Sequence, residues 1–238
     1  MSPIFVLTVR QLAGSRRLWL VLALVMLPLL AGLLFQLADA TTTPDEFTDD
    51  VTRVMLASAI LPLVMLLLAT AAFGNEVGDR TLVYLVTKPI ARWRIVAAKL
   101  LATLVVGGVP VALSGFLTVA LIEQGDLSGA LATGAGLFAG AAAYTAVFTW
   151  AGLATRHALL IGLAYVFIWE AALAAYLDGI RFLSIRRFTL AFVHALDDGR
   201  LATVDTSLGT STAVVGTAIV LVGFATLAVR KLTRMDVP

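Results

Sequence analysis

The chain has no cysteine, only two histidines and few charged residues. The absence of cysteine excludes disulfide bonds, a thiolate nucleophile and cysteine-ligated metal sites. Neither His157 nor His194 stands in a metal-binding helix motif such as H-E-x-x-H. No G-x-x-x-x-G-K-[ST] loop is present, so no local segment is built to hold the phosphates of ATP. We therefore expect the chain to be no enzyme by itself and to bind no cofactor or metal of its own.

Charged residues make up only 13% of the 238-residue chain, whereas 60% of its residues are hydrophobic. Soluble domains carry roughly 25% charged residues, so this composition excludes a single water-facing core. The apolar residues come in blocks of about 20, which as helices cross roughly 30 Å of hydrocarbon. The sequence predicts an all-α integral membrane protein with six transmembrane helices in one domain, residues 1–238. The predicted spans are 18–38, 54–73, 100–122, 129–153, 158–177 and 212–229.

Basic residues indicate the orientation of these spans. When the sides alternate at each span, twelve of the 17 Lys and Arg residues fall on the side of both termini. This bias predicts that both termini are cytoplasmic. The net charge of +2 therefore records orientation, and we expect no nucleic-acid partner. The acidic residues between 39 and 50 are interpreted as the solvated face of the first outer loop, and Pro28, Pro62 and Pro110 predict kinks within spans.

The predicted cytoplasmic segment 74–99 carries charges at both ends and a short amphipathic stretch between them. Leu82 and Leu85 are spaced to share one face of a helix. Pro89 ends that helix because the residue before a proline is pushed out of α geometry. A helix-turn-helix at the inner membrane surface is therefore predicted. From the residues alone, it is equally well an interfacial anchor or a docking surface for a cytoplasmic partner.

The second half of this segment is basic and aromatic. We expect Arg92, Arg94 and Lys99 to contact lipid phosphates, while Trp93 lies at the depth of the headgroups. Membrane lipid is thus a predicted partner of the chain.

Segment 74–99 resembles the loop after the second helix in permeases of the ABC-2 family. In that loop an acidic residue, a Gly-Thr-Leu-like element, a Leu-rich turn, a proline, an arginine and a lysine recur. A departure is that Asp79 and Arg80 separate the glycine from the threonine. The resemblance extends to the whole chain in helix count, cytoplasmic termini and a long final outer loop. The matching positions are Glu76, Gly78, Thr81, Leu82, Leu85, Pro89, Arg92 and Lys99.

The resemblance implies a short cytoplasmic coupling helix that sits in a groove of a separate ABC ATPase subunit, where ATP and Mg are bound. It also implies two permeases per complex, either two copies or one copy and a paralogue, in the plasma (inner) membrane of a prokaryote. The implied function is export of a substrate. The implied coupling residues are Glu76, Gly78, Arg80, Thr81, Leu82, Tyr84, Leu85, Pro89 and Arg92.

Two other functions stay open. A membrane subunit without transport activity would pass the same ATP-driven motion to an accessory protein. An ion-coupled secondary carrier would instead show internal repeats and several buried acids. The sequence has no such repeat, and Glu170 is the one acidic residue that the predicted spans bury.

A charge at the position of Glu170 costs at least about 2.5 kcal/mol unless it is paired, protonated or hydrated. Glu170 therefore either lines a substrate path or is satisfied by a neighbouring helix or by water near the outer surface. The fourth span carries Gly136 and Gly140 in a Gly-x-x-x-Gly pattern, which lets helix backbones approach closely. Packing within the chain is the favoured interpretation of this pattern, and a dimer face is the alternative.

The predicted outer segment 178–211 has an amphipathic pattern. Apolar residues recur on one side of a possible helix, whereas Arg187 and His194 fall on the other. This pattern predicts a helix lying in or dipping into the outer interface. The resemblance implies that it caps the translocation route as an outer lid, and an anchor without a gating role is the alternative. The implied lid residues are Phe182, Ile185, Phe188 and Phe192.

Overall fold

The computed structural model describes residues 2–38, 42–78, 90–173, 184–197, 201 and 209–234. These ranges contain helices and no strand, and five helices are long and apolar enough to cross a membrane. The predicted all-helical, multi-pass membrane fold is confirmed at this level. The five helices cover Arg17–Leu37, Pro44–Gly74, Arg92–Ile122, Leu127–Ala154 and Thr210–Arg234.

Eight helices, numbered in chain order, make up the described ranges. Helix α3 runs continuously through three stretches, α4 through three and α6 through two, and the stretches marked π have wider turns than an α-helix. The bounds are α1 Ser2–Ala13; α2 Arg17–Leu37; α3 Pro44–Asp50, Val51–Ile60 (π) and Leu61–Gly78; α4 Arg92–Thr103, Leu104–Gly108 (π) and Val109–Ile122; α5 Leu127–Ala154; α6 Ala158–Ala164 and Tyr165–Leu173 (π); α7 Ile185–Leu196; and α8 Thr210–Arg234.

Two of the π-helical stretches end just before a proline. Val51–Ile60 precedes Pro62, and Leu104–Gly108 precedes Pro110. Proline lacks an N–H group and its ring clashes with the carbonyl four residues earlier, so a wider turn relieves the conflict. Pro28, by contrast, is buried inside the α-helical α2. The winding of the helix therefore changes at two of the three predicted proline sites.

The acidic stretch that we interpreted as the solvated face of the first outer loop is largely helical, and Asp45, Glu46 and Asp50 are exposed there. Thr43 is the N-cap of α3, where its hydroxyl accepts a hydrogen bond from the N–H of Glu46 over 3.4 Å. Pro44 occupies the first turn, where the missing N–H costs nothing. Asp45 and Glu46 follow in the same turn, where the helix dipole favours negative charge. These local signals start α3 well before its apolar part.

Two further features differ from the predicted spans. Helix α1 was not predicted, yet it packs its Thr8 and Leu12 side chains inside the bundle. The described apolar part of α6, Ala158–Glu170, is shorter than a crossing helix. Residues 174–177 lie outside the described ranges, so the fifth predicted span, 158–177, stays a prediction.

Contacts at glycines reveal the relative directions of the helices. Gly140 faces Leu61 and Gly152 faces Thr70, so α3 and α5 run parallel. The contacts of α4 with α3 follow the opposite order, so α4 is antiparallel to both. These contacts join Gly107 to Leu68 and Gly115 to Leu56.

The bundle consequently has two ends. At one of them, the Lys99 end, the C-terminal parts of α3, α5 and α8 meet the N-terminal part of α4. At the other, the Asp49 end, the N–H of Leu201 donates to the Asp49 carboxylate over 3.1 Å. Helix α7 packs against α5 and α8, and its C-terminal half points to the Asp49 end. The buried cluster of the Lys99 end consists of Phe73, Ile95, Val96, Leu153, Ala228 and Leu232.

Candidate functional site

A buried ion pair joins α3 to α4 at the Lys99 end. Lys99 Nζ lies 2.6 Å from Glu76 Oε1, and Lys99 is only 1% exposed. The same ammonium group donates to the carbonyl of Ala72 and lies 4.4 Å from the centre of the Phe73 ring. The expectation that Lys99 contacts lipid phosphates is therefore wrong. The ammonium group instead contacts a carboxylate, a carbonyl and an aromatic ring inside the protein.

The position of Glu76 explains why it needs this partner. Glu76 lies in the last turn of α3, where the helix dipole places partial negative charge and disfavours a carboxylate. Lys99 lies two turns into α4 and brings a full positive charge to the same place. The pair thereby neutralises both the Glu76 side chain and the C-terminal end of α3.

The ion pair also bridges the two ends of the predicted coupling segment. Residues 79–89 lie outside the described residues, so the roles of Arg80, Thr81, Leu82, Tyr84, Leu85 and Pro89 stay predictions. Gly78 is the last residue of α3, and Arg92 begins α4. Within the described part of the chain, Glu76 Oε2 and Arg92 Nη1 are buried without a hydrogen-bond partner. Both atoms therefore retain bonding capacity beside the undescribed segment.

The second buried carboxylate belongs to Glu170 on α6, which is 4% exposed. It accepts hydrogen bonds from the hydroxyls of Tyr165 over 2.9 Å and of Ser184 over 3.3 Å. It also accepts from the backbone N–H groups of Ile185 over 3.1 Å and of Arg186 over 3.2 Å. The first N–H groups of a helix have no partner within that helix. Glu170 therefore caps the N-terminus of α7 from a neighbouring helix.

These contacts support the second interpretation of Glu170, in which hydrogen bonds to a neighbouring helix compensate its burial. Its place on a substrate path stays a prediction. Burial lowers the pKa of the Arg186 guanidinium, and the attraction of Glu170 opposes that shift. A chain of rings extends the site into the bundle, because Tyr144 stacks on Phe148 and Phe148 meets Tyr165 edge-on.

Helix α7 is packed inside the described bundle rather than spread over its surface. Among the predicted lid residues, Ile185 and Phe188 are buried and Phe192 is half-buried, whereas Phe182 lies outside the described residues. Ser184 is the N-cap, and its hydroxyl accepts from the N–H of Arg187 over 3.4 Å. The lid role itself stays a prediction.

The Gly-x-x-x-Gly pattern of α5 forms the surface against which α7 packs. A Cβ atom on Gly136 would lie 2.5 Å from Val193 Cγ2, and one on Gly140 would collide with Thr189. Only glycine allows the two helices to approach this closely. The interpretation of the pattern as packing within the chain is confirmed.

The sequence contained some signals for the Glu76 and Glu170 contacts, although the contacts themselves were not predicted from it. Glu76 and Lys99 stood as opposite charges at the ends of adjacent helices, but nothing local indicated that they touch. Ser184 is a favourable N-cap residue directly before an amphipathic helix, so the start of α7 could have been found. The link from Ser184 to Glu170 depends on tertiary packing.

Comparison with known proteins gives one family. A family model described as ABC-2 family transporter protein matches residues 15–177, which is more than half of the chain. The matched range includes Glu76, Lys99 and Glu170. No curated protein and no solved structure gives a significant match.

Proposed function

Because the chain belongs to the ABC-2 transporter family, we propose that it is the permease subunit of an ATP-binding cassette transporter. A separate cytoplasmic subunit hydrolyses ATP, and the complex exports a substrate across the plasma membrane of a prokaryote. Two permeases, identical or paralogous, assemble with two ATPases. The chain itself supplies the conduit and the contact that receives the motion of the ATPase.

The observation that carries this proposal is the buried ion pair between Glu76 and Lys99. It ties the last turn of α3 to α4 on either side of residues 79–89, where the family resemblance locates the coupling helix. A push on that segment reaches two long helices through one rigid junction, because neither charge can leave its partner without a large desolvation cost. The pair thus suits force transmission.

Glu76 acts in this scheme as a positioning residue rather than as a docking contact. Its Oε1 atom is bonded to Lys99 inside the bundle. The surface that meets the ATPase consists of the Leu82 and Leu85 face of the predicted coupling helix. Arg92, whose Nη1 has no described partner, is available to orient the same segment.

The packing of the helices supports a six-span arrangement with both termini in the cytoplasm. Helices α3 and α5 run in one direction and α4 in the other, as alternating spans require. At 16 residues, the described part of α6 covers about 24 Å, so a few more residues complete a crossing of roughly 30 Å. In this arrangement the Lys99 end faces the cytoplasm, and α7 acts as an outer lid anchored by Glu170.

Co-purification with the ATPase tests the proposal. Tagged chain in detergent is mixed with candidate ABC ATPase subunits, and captured protein and ATP hydrolysis are recorded. We expect the wild type to capture an ATPase and Leu85→Asp to release it, because a charge replaces the apolar docking face. The matched control is Leu196→Asp, the same change at an exposed position of α7, which should leave capture intact.

The proposal fails if the wild type captures no ATPase. It also fails if Leu85→Asp captures and activates the ATPase as well as Leu196→Asp does. Segment 74–99 would then be an interfacial anchor without a coupling role.

A further inference from the structure

An apolar groove of about 620 Å³ lies between α4 and α8, with α5 as its floor. On α4 it extends from Trp93 to Leu104, and on α8 from Val229 back to Leu221. Eleven residue steps of a helix cover about 16 Å. That length is close to half of the roughly 30 Å hydrocarbon core, the depth of a single lipid leaflet.

The wall of the groove offers almost nothing to a polar ligand. The hydroxyl of Thr145 donates to the carbonyl of Ala141 over 2.6 Å, and that of Thr226 to the carbonyl of Val222 over 2.7 Å. Both are satisfied within their own helices. Apart from the Trp93 indole, the remaining lining side chains are aliphatic. Such a wall suits a hydrocarbon chain.

Positive charge is concentrated at one end of the groove. Arg92 and Arg94 flank Trp93 at the start of α4, and Arg230 and Lys231 follow Val229 at the end of α8. Arg94 lies 5.4 Å from the centre of the Trp93 ring, so its charge stands directly at the mouth. The opposite end of the groove, near Leu104 and Leu221, has no charged residue in the adjoining turns of either helix.

We propose that this groove binds one anionic glycerophospholipid, with an acyl chain along the apolar wall and the phosphate between the basic side chains of α4 and α8. The site favours a negatively charged headgroup, because the basic residues lie at one end of a groove whose length matches one leaflet of hydrocarbon.

A second copy of the chain fits this face less well than a lipid does. Two copies inserted in the same direction and related by a two-fold axis would place the same basic residues opposite each other. Like charges at an interface are unfavourable. An anionic lipid instead neutralises them.

Trp93 allows the proposal to be tested by fluorescence quenching. The chain has four tryptophans, and the variant Trp19→Phe, Trp150→Phe, Trp169→Phe leaves Trp93 as the only reporter. The purified full chain is reconstituted into phosphatidylcholine vesicles containing increasing fractions of brominated phosphatidylglycerol or brominated phosphatidylcholine. Bromine quenches indole only at contact distance, so quenching reports which lipid occupies the groove.

We expect brominated phosphatidylglycerol to reach half-maximal quenching at a mole fraction at least about fivefold lower than brominated phosphatidylcholine, since a single cation near an anionic lipid contributes roughly that factor and the groove has several. Adding Arg92→Gln, Arg94→Gln, Arg230→Gln and Lys231→Gln should abolish the preference. Arg156→Gln, which removes an exposed charge outside the groove, should preserve it. Because the preference is a ratio within one variant, a change in Trp93 emission does not affect it.

A second background that retains only Trp169, a half-buried residue of α6 with no basic residue in the adjoining turns of that helix, should be quenched equally by both lipids. Equal quenching of Trp93 by the two lipids would overturn the proposal and indicate ordinary lipid contact. Absence of quenching by either lipid would overturn it in favour of a protein partner on this face. A preference that survives the quadruple glutamine variant would also overturn it. Gel filtration and circular dichroism establish that each variant is folded before quenching is measured.

Discussion

Glu76 and Glu170, two largely buried carboxylates in the part of the chain that the structure describes, are compensated in different ways. Glu76 is matched by a full positive charge on Lys99, a residue of a neighbouring apolar helix. Glu170 is matched by hydroxyls and by the backbone N–H groups of Ile185 and Arg186. A carboxylate in a buried ion pair is compensated by one partner, whereas several neutral donors each compensate part of the charge.

The difference follows from what each carboxylate holds in place. The Glu76 pair joins two long helices that both extend across the bundle, so it determines their relative positions at the Lys99 end. Glu170 instead secures the exposed donors at the start of α7, a helix of 12 residues. The Lys99 end is thus joined by a contact between two long helices, whereas α7 is a smaller element that depends on its cap and on its contact with α5.

The largest expected effect comes from breaking the ion pair on one side. Lys99→Met keeps the length of the side chain but leaves the Glu76 carboxylate buried without its cation. Removal of one partner of a buried pair costs about 3–5 kcal/mol. We expect the free energy of unfolding in detergent to fall by this amount, measured from the denaturant dependence of circular dichroism.

The double variant Glu76→Met, Lys99→Met separates the loss of charge balance from the loss of packing. Because replacement of both partners by apolar residues is close to neutral, it should recover most of the stability. Arg156→Met, at an exposed basic position, should have little effect. If the double variant is as unstable as Lys99→Met, packing rather than charge explains the loss.

A smaller effect is expected at the second carboxylate. Glu170→Gln preserves the shape of the side chain but removes the charge that attracts the donors of α7. Hydrogen bonds to charged groups contribute about 1.5–3 kcal/mol, so stability should fall within this range. Hydrogen exchange should accelerate at the amides of Ile185 and Arg186, because their acceptor is weakened.

Hydrogen exchange of Glu170→Gln also tests whether the start of α7 and the Lys99 end are independent. Amides around Phe73 and Ile95 at the Lys99 end should keep their protection in Glu170→Gln. The conservative change Glu46→Gln, at an exposed acid, should alter neither region. Equal acceleration at the Lys99 end would contradict the separation of the two sites.

The helices could be predicted from hydrophobic length, whereas the two carboxylate contacts could not. The predicted third span began at 100 because hydropathy places a charged residue outside the membrane helix. The helix in fact begins at Arg92 and includes Lys99, since tertiary pairing with Glu76 overrides the cost of that charge. The burial of Glu170 was predicted from its span, but three of its four described donors follow residues 174–183, and no local pattern relates them to Glu170.

The smallest effect should come from the packing between α5 and α7, which tests whether the Glu170 cap alone holds α7. Gly140→Ala adds a methyl group against Thr189 and Leu61, and such overpacking costs about 1–3 kcal/mol. The matched control is Gly223→Ala on α8, where nothing lies within 4 Å, so helix propensity should make alanine neutral or slightly stabilising. If thermal unfolding shows equal stability for the two variants, the glycine contact contributes nothing and the cap is sufficient. If Gly140→Ala is less stable and also exchanges faster at α7, then α7 is held at two points, and a conformational change must release both before the helix can move.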